Sequence, residues 1–235
     1  MSKLTIHILT LFPGLFDSYF KFGVVGRAIE KGVISANPVN IRDSAEDRHG
    51  TVDDTPYGGG SGMIMKPDVL AKSLKSVTLK CKKKKPDVIF LTPQGRKFDQ
   101  SIANKLSLTD EIILICGRYR GVDERFRESY VTDELSVGDY VLSGGEPAAI
   151  VLIDVVSRLI PGVLNDFESG MEDSFQNNLL DCPWYTRPKN FEGIDVPDVL
   201  LSGNHDSIDK WRREQSLRRT RERRPDLIEI NDRKK

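Results

Sequence analysis

The sequence predicts an α/β fold built around a parallel β-sheet, and three observations support this prediction. Short apolar segments such as residues 87–91 and 111–116 alternate with segments of helical periodicity. Continuous apolar strands joined by helical crossovers are typical of parallel sheets that are covered on both faces. Three successive strands also end in glycine-containing turns, at residues 92–96, 117–121 and 137–145. Because ligands bind outside the carboxyl ends of such strands, we expect these turns to form one site.

The N-terminal part of the chain is predicted to alternate between strands and helices. Strands are expected at residues 3–12 and 33–42, and the second is expected to be broken around Pro38. A helix is expected to begin at Pro13, because apolar residues follow it at helical spacing, and another is expected at residues 24–31.

A long polar loop, residues 43–63, comes next and ends in the glycine-rich segment 58–62. Loops of this length inside a compact domain are usually functional. The segment lacks the Lys-Ser/Thr pair of a phosphate-binding P-loop. We therefore expect a mobile flap over a substrate, followed by a helix at residues 67–79.

The central part contains the strands that carry the glycine turns. The third of them is expected at residues 130–135, with helices at residues 98–106, from about residue 122, and at residues 147–160. The last helix is apolar on almost all sides, which fits either core packing or a homodimer face. Arg158, near its end, needs a partner or a wet pocket.

The C-terminal part differs in composition from the rest. Residues 163–172 lose the apolar period and are interpreted as a linker, after which Asp173 is expected to open a short helix as its N-cap. Residues 196–201 are expected to be extended, and a basic helix is expected at residues 207–223. Residues 210–224 contain eight basic residues against two acidic ones, in a chain whose net charge is zero. This asymmetry indicates a polyanionic partner.

The composition excludes several classes of protein. Charged residues make up 30% of the chain and hydrophobic residues 38%, which indicates a soluble globular protein with no apolar run long enough to span a bilayer. The N-terminus shows no secretory signal, and Cys81, Cys116 and Cys182 form neither a zinc spacing nor a disulfide framework, so we expect a cytoplasmic location. No Gly-x-Gly-x-x-Gly follows the first strand, which disfavours a dinucleotide-binding dehydrogenase.

Eight motifs, in order over about residues 11–227, resemble those of the bacterial tRNA (guanine-37-N1) methyltransferases. They are DDTPYGGGSGM from Asp53, PQGRKFDQ from Pro93, CGRYRGVDER from Cys116, GDYVLSGGE from Gly138, IPGV from Ile160, EDSF from Glu172, LDCPWYTRP from Leu180 and VLLSGNH from Val199. Each glycine motif is a weak signal by itself, whereas the ordered series is specific.

The resemblance implies the SPOUT fold, an α/β fold whose parallel sheet contains a deep C-terminal trefoil knot and is followed by a small helical domain. It implies a knotted domain that binds S-adenosylmethionine at residues 1–162, an interdomain linker at residues 163–172 and a helical tRNA-binding domain at residues 173–235. It also implies an obligate homodimer and a tRNA anticodon loop with guanine 37 as the substrate. A requirement for Mg²⁺ is left open.

The resemblance also implies roles for individual residues. Asp173 would be the general base that removes the N1 proton of guanine, and Arg158 would stabilise the negative charge that develops near O6. The cofactor-binding residues would be Leu91, Pro93, Gly95, Gly117, Arg118, Tyr119, Val137, Gly138, Asp139, Tyr140, Val141, Leu142, Gly144 and Gly145. The substrate-binding residues would be Tyr57, Gly59, Leu164, Ser169, Arg213, Arg218 and Arg219, and no protein ligand for a metal is implied.

One residue departs from the family pattern. Arg120 stands where the family normally has a glutamate near the amino-acid end of S-adenosylmethionine. Two alternatives therefore stay open. The first is an enzyme of the same fold that methylates another RNA position, such as a ribose 2′-hydroxyl, and the second is a non-catalytic or impaired RNA-binding homologue.

Overall fold

A computed structural model describes residues 4–83, 85–164, 173–175 and 177–228, and the chain separates into two units, Met1–Asn165 and Asp166–Lys235. The strands of the first unit are β1 (Leu4–Thr10), β2 (Ile34–Asn40), β3 (Asp53–Asp54), β4 (Ile64–Met65), β5 (Asp87–Lys97), β6 (Glu111–Cys116) and β7 (Asp133–Ser136). Five of them form a sheet in the order β2-β1-β6-β5-β7, and every pairing in this sheet is parallel. The predicted parallel α/β architecture is confirmed.

Helices cover both faces of this sheet. They are α1 (Gly23–Glu30), α2 (Pro67–Thr78), α3 (Gln100–Leu106), α4 (Glu124–Tyr130) and α5 (Glu146–Arg158). Val25, Ile102 and Leu152, from α1, α3 and α5, belong to one apolar cluster. Leu70 of α2 and Phe126 of α4 belong to a second cluster on the other face. In β5 and β6 alternate side chains point into the two clusters, which explains the continuous apolar runs at residues 88–91 and 112–116.

Two elements near the N-terminus differ from the predictions. β2 runs unbroken through Pro38. It lies at the edge of the sheet and pairs only with β1, and an edge strand tolerates a residue without an N–H group. The helix predicted at Pro13 consists instead of two 3₁₀ helices, Pro13–Phe16 and Tyr19–Lys21. Tertiary contacts hold this segment, because Phe16 is fully buried and the Tyr19 hydroxyl donates a hydrogen bond to Asp154.

β5 is longer than predicted. It continues through Pro93 and Gly95 to Lys97, and its pairing with β7 shifts in register between Leu91 and Arg96. The first glycine segment is therefore an irregularity within a strand rather than a turn that ends it.

Helix α5 lies in the first apolar cluster, with Ala149, Leu152, Ile153 and Val156 fully buried. Core packing thus accounts for most of its apolar surface. Val151 is the exception, since 46% of its surface is exposed.

The second unit consists of a long helix and a segment packed along it. This helix, α6 (His205–Arg223), is capped by the side chain of Asn204, and a hairpin is formed by β8 (Asn190–Phe191) and β9 (Ile194–Asp195). The predicted basic helix is therefore confirmed. The Leu180 N–H donates to the buried hydroxyl oxygen of Thr220 at 2.9 Å, which fixes the preceding segment against α6.

Two local predictions in this part of the chain are wrong. Residues 196–201 are not extended, because a 3₁₀ helix covers Asp198–Leu201. No helix begins at Asp173, because Phe175 has a φ of 77°, in the left-handed region. Of the predicted linker, residues 165–172 lie outside the described residues.

Among the described helices, none combines the length and the apolar character that crossing a membrane requires.

Candidate active site

Three chain segments, at residues 90–94 within β5, 117–121 after β6 and 135–145 at the end of β7, line a cavity of about 310 Å³. They overlap the three glycine-containing segments whose convergence the sequence predicts. Most of the predicted cofactor-binding residues line this cavity: Leu91, Pro93, Gly117, Arg118, Tyr119, Val137, Gly138, Tyr140, Val141, Leu142, Gly144 and Gly145. The structure therefore brings together residues that are more than 50 positions apart in sequence, such as Leu91 and Gly145.

Gly95 and Asp139 lie outside the cavity lining. Gly95 packs against backbone instead, since a Cβ atom there would be 2.5 Å from the carbonyl carbon of Glu134. The Asp139 carboxylate points to solvent, 93% exposed, with one oxygen 3.8 Å from Nζ of Lys97.

Further residues line the cavity without having been assigned individually to cofactor binding: Phe90, Thr92, Gln94, Arg120, Gly121, Leu135, Ser136, Ser143 and Ala148. Thr92, Gln94, Arg120, Gly121 and Ser143 lie within the predicted glycine segments, and the others lie in β5, β7 and α5. Ser136 is nearly buried, and its hydroxyl donates to the carbonyl oxygen of Gly138 at 2.9 Å, which holds the third segment against the end of β7. A strand-end serine two residues before a glycine is the only signal that could have indicated this role.

Gly145 allows the second and third segments to touch. Its N–H donates to the carbonyl oxygen of Gly117 at 2.9 Å, and a Cβ atom at position 145 would be 2.6 Å from Cα of Cys116. Backbone cannot yield to a side chain at that distance, so the close approach requires glycine.

Burial raises the pKa of the adjacent Cys116 thiol well above its ordinary value. This thiol therefore stays protonated, which excludes it as a nucleophile near neutral pH.

A buried ion pair supports the wall of the cavity. Glu146 is fully buried at the start of α5, and its Oε2 accepts from Nε of Arg118 at 2.9 Å. Its Oε1 accepts from the Thr10 hydroxyl at 2.7 Å. Arg118 also donates to the carbonyl oxygen of Ser143 at 3.1 Å, and its guanidinium lies 4.5 Å from the ring centroid of Phe12. These contacts hold Arg118 in one conformation beside the three segments.

Arg120 connects the same cavity to the glycine-rich loop at residues 58–62. Its side chain lines the cavity, and Nη1 donates to the carbonyl oxygen of Ser61 at 2.8 Å. Its backbone N–H donates to the carbonyl oxygen of Met63 at 3.0 Å. Of the two residues predicted to bind substrate here, Gly59 lies in this loop and Tyr57 directly precedes it, with 97% of Tyr57 exposed.

The second unit carries a groove of about 610 Å³ beside α6. It is lined by Asp173, Asn177, Leu179, Leu180, Asp181, Cys182, Trp184, Asp209, Arg212, Arg213 and Ser216. The Arg212 guanidinium lies 4.6 Å from the ring centroid of Trp184, whose Nε1–H donates to Asp181 at 2.6 Å. Both a predicted catalytic residue, Asp173, and a predicted substrate-binding residue, Arg213, lie in this groove.

The other predicted residues are more dispersed. Arg219 donates to the carbonyl oxygen of Asp181 at 3.5 Å, whereas Nε of the exposed Arg218 lies 3.9 Å from Glu222. Arg158 ends α5 and is partly buried, as is Leu164, and neither lines the 310 Å³ cavity. Ser169 lies outside the described residues.

Comparison with known proteins decides which family the chain represents. The family model described as tRNA (Guanine-1)-methyltransferase TrmD matches residues 4–230. The chain belongs to this methyltransferase family. A tRNA (guanine-N(1)-)-methyltransferase of Clostridioides difficile is 52% identical over 228 residues, which cover 97% of this chain and 99% of the relative.

Two further members of the methyltransferase family show the same degree of similarity. Proteins of the same name from Dehalococcoides mccartyi and Geotalea uraniireducens are each 53% identical, and the matches cover 95% and 94% of this chain and 90% and 89% of those relatives. The residues that match the family thus cover most of both units, including the segments that line the cavity and the groove.

Proposed function

We propose that the chain transfers a methyl group from S-adenosylmethionine to N1 of guanine 37 in the anticodon loop of tRNA. The observation that carries this proposal is the convergence of three chain segments, at residues 90–94, 117–121 and 135–145, on one cavity, in a chain that belongs throughout to the methyltransferase family. The relatives named tRNA (guanine-N(1)-)-methyltransferase support the reaction and the substrate class.

The cavity fits S-adenosylmethionine in its size and lining. Its volume of about 310 Å³ lies within the range of small-molecule sites, roughly 300–1,000 Å³. Leu91, Leu142 and Ala148 supply apolar surface for an adenosine ring, and backbone groups of Gly117 and Gly144 can hydrogen-bond its polar atoms. When bound, S-adenosylmethionine supplies a methyl group activated by its sulfonium charge.

We further propose that the three segments form the trefoil knot of the SPOUT fold. The close backbone packing of Gly95 on Glu134 and of Gly145 on Cys116 supports this, since threaded segments have no room for side chains at their crossings. The domain organisation inferred from the resemblance, with boundaries at residues 162 and 172, belongs to the same proposal.

In the proposed mechanism Asp173 accepts the N1 proton of guanine, so that the N1 electron pair becomes available to the methyl group. Arg158 stabilises the negative charge that develops at O6 as this proton leaves. The protein contributes chiefly positioning, because methyl transfer requires an in-line approach. Leu164, Ser169, Tyr57 and Gly59 are proposed to surround the base, which in a single-stranded loop can be splayed out and stacked.

The second unit is proposed to bind the tRNA backbone through α6. Arg213, Arg218 and Arg219 lie on this helix, within the segment of strongest positive charge. Contacts between arginine and phosphate are independent of base sequence and serve to position the RNA. Arg213, on the groove that also contains Asp173, would hold a phosphate close to the base that is methylated.

We also propose that the active protein is a homodimer and acts in the cytoplasm, where its tRNA substrate is found. This proposal rests on membership of the methyltransferase family.

The proposed reaction is tested with two tRNA transcripts that differ only at position 37, guanine in one and adenine in the other. We expect transfer of the labelled methyl group from S-adenosylmethionine to the guanine transcript alone, and parallel reactions without Mg²⁺ show whether the ion is needed. Equal incorporation into both transcripts would contradict the assignment and favour methylation at another position. Binding of S-adenosylmethionine without any incorporation would favour the alternative of an impaired RNA-binding homologue.

The alternative of an impaired RNA-binding homologue rests on Arg120, which stands where the family has a glutamate. In the structure the Arg120 side chain donates a hydrogen bond to the glycine-rich loop, which a glutamate carboxylate cannot do. Arg120→Glu removes the hydrogen bond to the Ser61 carbonyl oxygen and places a carboxylate beside it. We expect amide hydrogen exchange in residues 57–63 to rise about fivefold, because a surface-exposed hydrogen bond contributes about 1 kcal/mol. The backbone bond from Arg120 to Met63 remains and limits the effect.

The matched control for this variant is Arg27→Glu, which makes the same charge reversal at an exposed position of α1 in the same unit. Equal exchange in the wild type and in Arg120→Glu would show that Arg120 does not hold the loop.

A further inference from the structure

A second cluster of reactive side chains lies away from the 310 Å³ cavity. It consists of His7 in β1, Cys81 in the loop after α2, and Glu111 at the first position of β6. One donor atom from each lies within 4.8 Å of the others. In the part of the chain that the structure describes, this is the only group of three or more His, Cys, Asp and Glu residues close enough to hold a metal ion.

The cluster lies at the amino edge of the sheet, opposite the edge where the glycine segments converge. Glu111 begins β6, whereas Cys116 at the other end of that strand leads into the second glycine segment. His7 pairs in register with Ile113, which belongs to the core cluster between the sheet and α2. Cys81 packs against the same core cluster. The three side chains therefore meet on one face of the sheet, beneath the end of α2.

The imidazole of His7 gives an independent indication of a ligand. Only 9% of His7 is exposed, and its Nε2 atom is buried without a hydrogen-bond partner among the described residues. A buried ring nitrogen without a partner is costly, and native proteins rarely leave one in this state. Because donor atoms of Cys81 and Glu111 lie within 4.8 Å of a ring nitrogen of His7, a cation between the three side chains would satisfy the imidazole.

The donor set selects a particular kind of ion. One imidazole, one thiolate and one carboxylate are the three ligand types that zinc accepts, whereas magnesium and calcium prefer oxygen alone. With bonds of about 2.0–2.3 Å, tetrahedral ligands lie roughly 3.3–3.8 Å apart, so the widest separation here, up to 4.8 Å, would contract by about 1 Å. Cys81 can make this movement because it follows the end of α2 and is only partly buried.

The surrounding charges are compatible with a divalent ion. Glu111 accepts the Lys83 N–H through Oε2 at 2.8 Å, and its second oxygen can bind an ion at the same time. Lysines flank Cys81 at positions 80, 82 and 83. One thiolate, one carboxylate and one neutral imidazole compensate a divalent charge completely, so the neighbouring lysines would face a site without net charge.

We propose that His7, Cys81 and Glu111 bind one divalent zinc-class ion, with water as a fourth ligand, and that this ion fastens the loop after α2 to the amino edge of the sheet. The site is structural rather than catalytic, because it lies at the edge of the sheet opposite the cavity. It therefore does not depend on the function proposed above.

The test uses the full chain without an affinity tag, under reducing conditions and after removal of metals with a chelator. Titration with Co²⁺ should give one equivalent per chain and the ultraviolet charge-transfer band of a cobalt–thiolate bond. Zn²⁺ should displace the Co²⁺, and Zn²⁺ at 100 times its Kd should raise the thermal unfolding midpoint by about 5 to 10 °C.

Cys81→Ser should abolish the charge-transfer band. It should also weaken Zn²⁺ binding by at least about 100-fold, because losing a direct ligand costs more than losing an outer-shell partner, which itself costs up to about 100-fold. Cys182→Ser is the control, because it removes a thiol from the other unit and leaves the cluster intact. Cys81 is only partly buried, so its replacement tests the site without the folding risk of replacing His7. No bound Co²⁺, or a band that persists in Cys81→Ser, would overturn the proposal.

Discussion

Asp173→Asn is expected to lower the rate of methyl transfer to tRNA by about 10²- to 10⁴-fold, the usual contribution of a general base. Asparagine keeps the shape of the side chain and cannot accept the N1 proton of guanine. Binding of S-adenosylmethionine should be unchanged, because the proposed cofactor cavity is built entirely from residues of the first unit. The measurements are single-turnover methyl transfer and equilibrium binding of the cofactor.

Asp209→Asn is the matched control for this prediction, since it removes a carboxylate from the same groove. The Asp209 carboxylate is 71% exposed and lies 3.7 Å from Arg212, and such surface pairs contribute at most about 1 kcal/mol. We therefore expect a change in rate of no more than about fivefold. If Asp173→Asn keeps the wild-type rate, or if both variants lose activity equally, Asp173 is not the base.

Glu146→Ala is expected to destabilise the first unit by about 3 to 5 kcal/mol, the usual cost of removing one partner from a buried ion pair. Arg118, whose side chain is only 18% exposed, would lose its carboxylate partner, and the Thr10 hydroxyl would lose its acceptor. Because Arg118 lines the cavity, affinity for S-adenosylmethionine should fall as well. Urea unfolding followed by circular dichroism measures the first effect, and calorimetric titration measures the second.

Glu128→Ala is the control for this second prediction. Glu128 is an exposed glutamate of α4 in the same unit, and surface substitutions usually change stability by less than about 0.5 kcal/mol. A Glu146→Ala protein as stable as the Glu128→Ala protein would show that the pair with Arg118 does not support the cavity.

The predictions from sequence succeeded where local pattern and burial agree. β6 was expected at residues 111–116 and is observed at Glu111–Cys116, because a fully buried strand is apolar at every position. The predictions failed where a distant contact overrides local preference. Pro38 was expected to break a strand, but its position at the sheet edge removes the need for an N–H donor. The 3₁₀ turns after Pro13 depend on the burial of Phe16.

The candidate site shows the same division. Glycines in the predicted turns indicated where backbone approaches a ligand, and the family resemblance implied twelve of the residues that line the cavity. The bulge that takes Gly95 away from the cavity was not visible, because it arises from the register between β5 and β7. Ser136 and Ala148 were missed because their roles depend on which neighbours pack against them.

Three features of the protein could be predicted from its sequence alone. Apolar periodicity predicted the parallel α/β architecture, local composition predicted the basic helix, and the order of the motifs indicated the methyltransferase family. Each of these signals can be read along the chain without knowledge of distant contacts. Only folding joins Thr10 to Glu146, Arg120 to Ser61, and His7 to Cys81 and Glu111. The members of these contacts are between 30 and 136 positions apart. Their proximity results from the crossovers of the sheet and the packing of its two faces, which no short segment of the chain encodes.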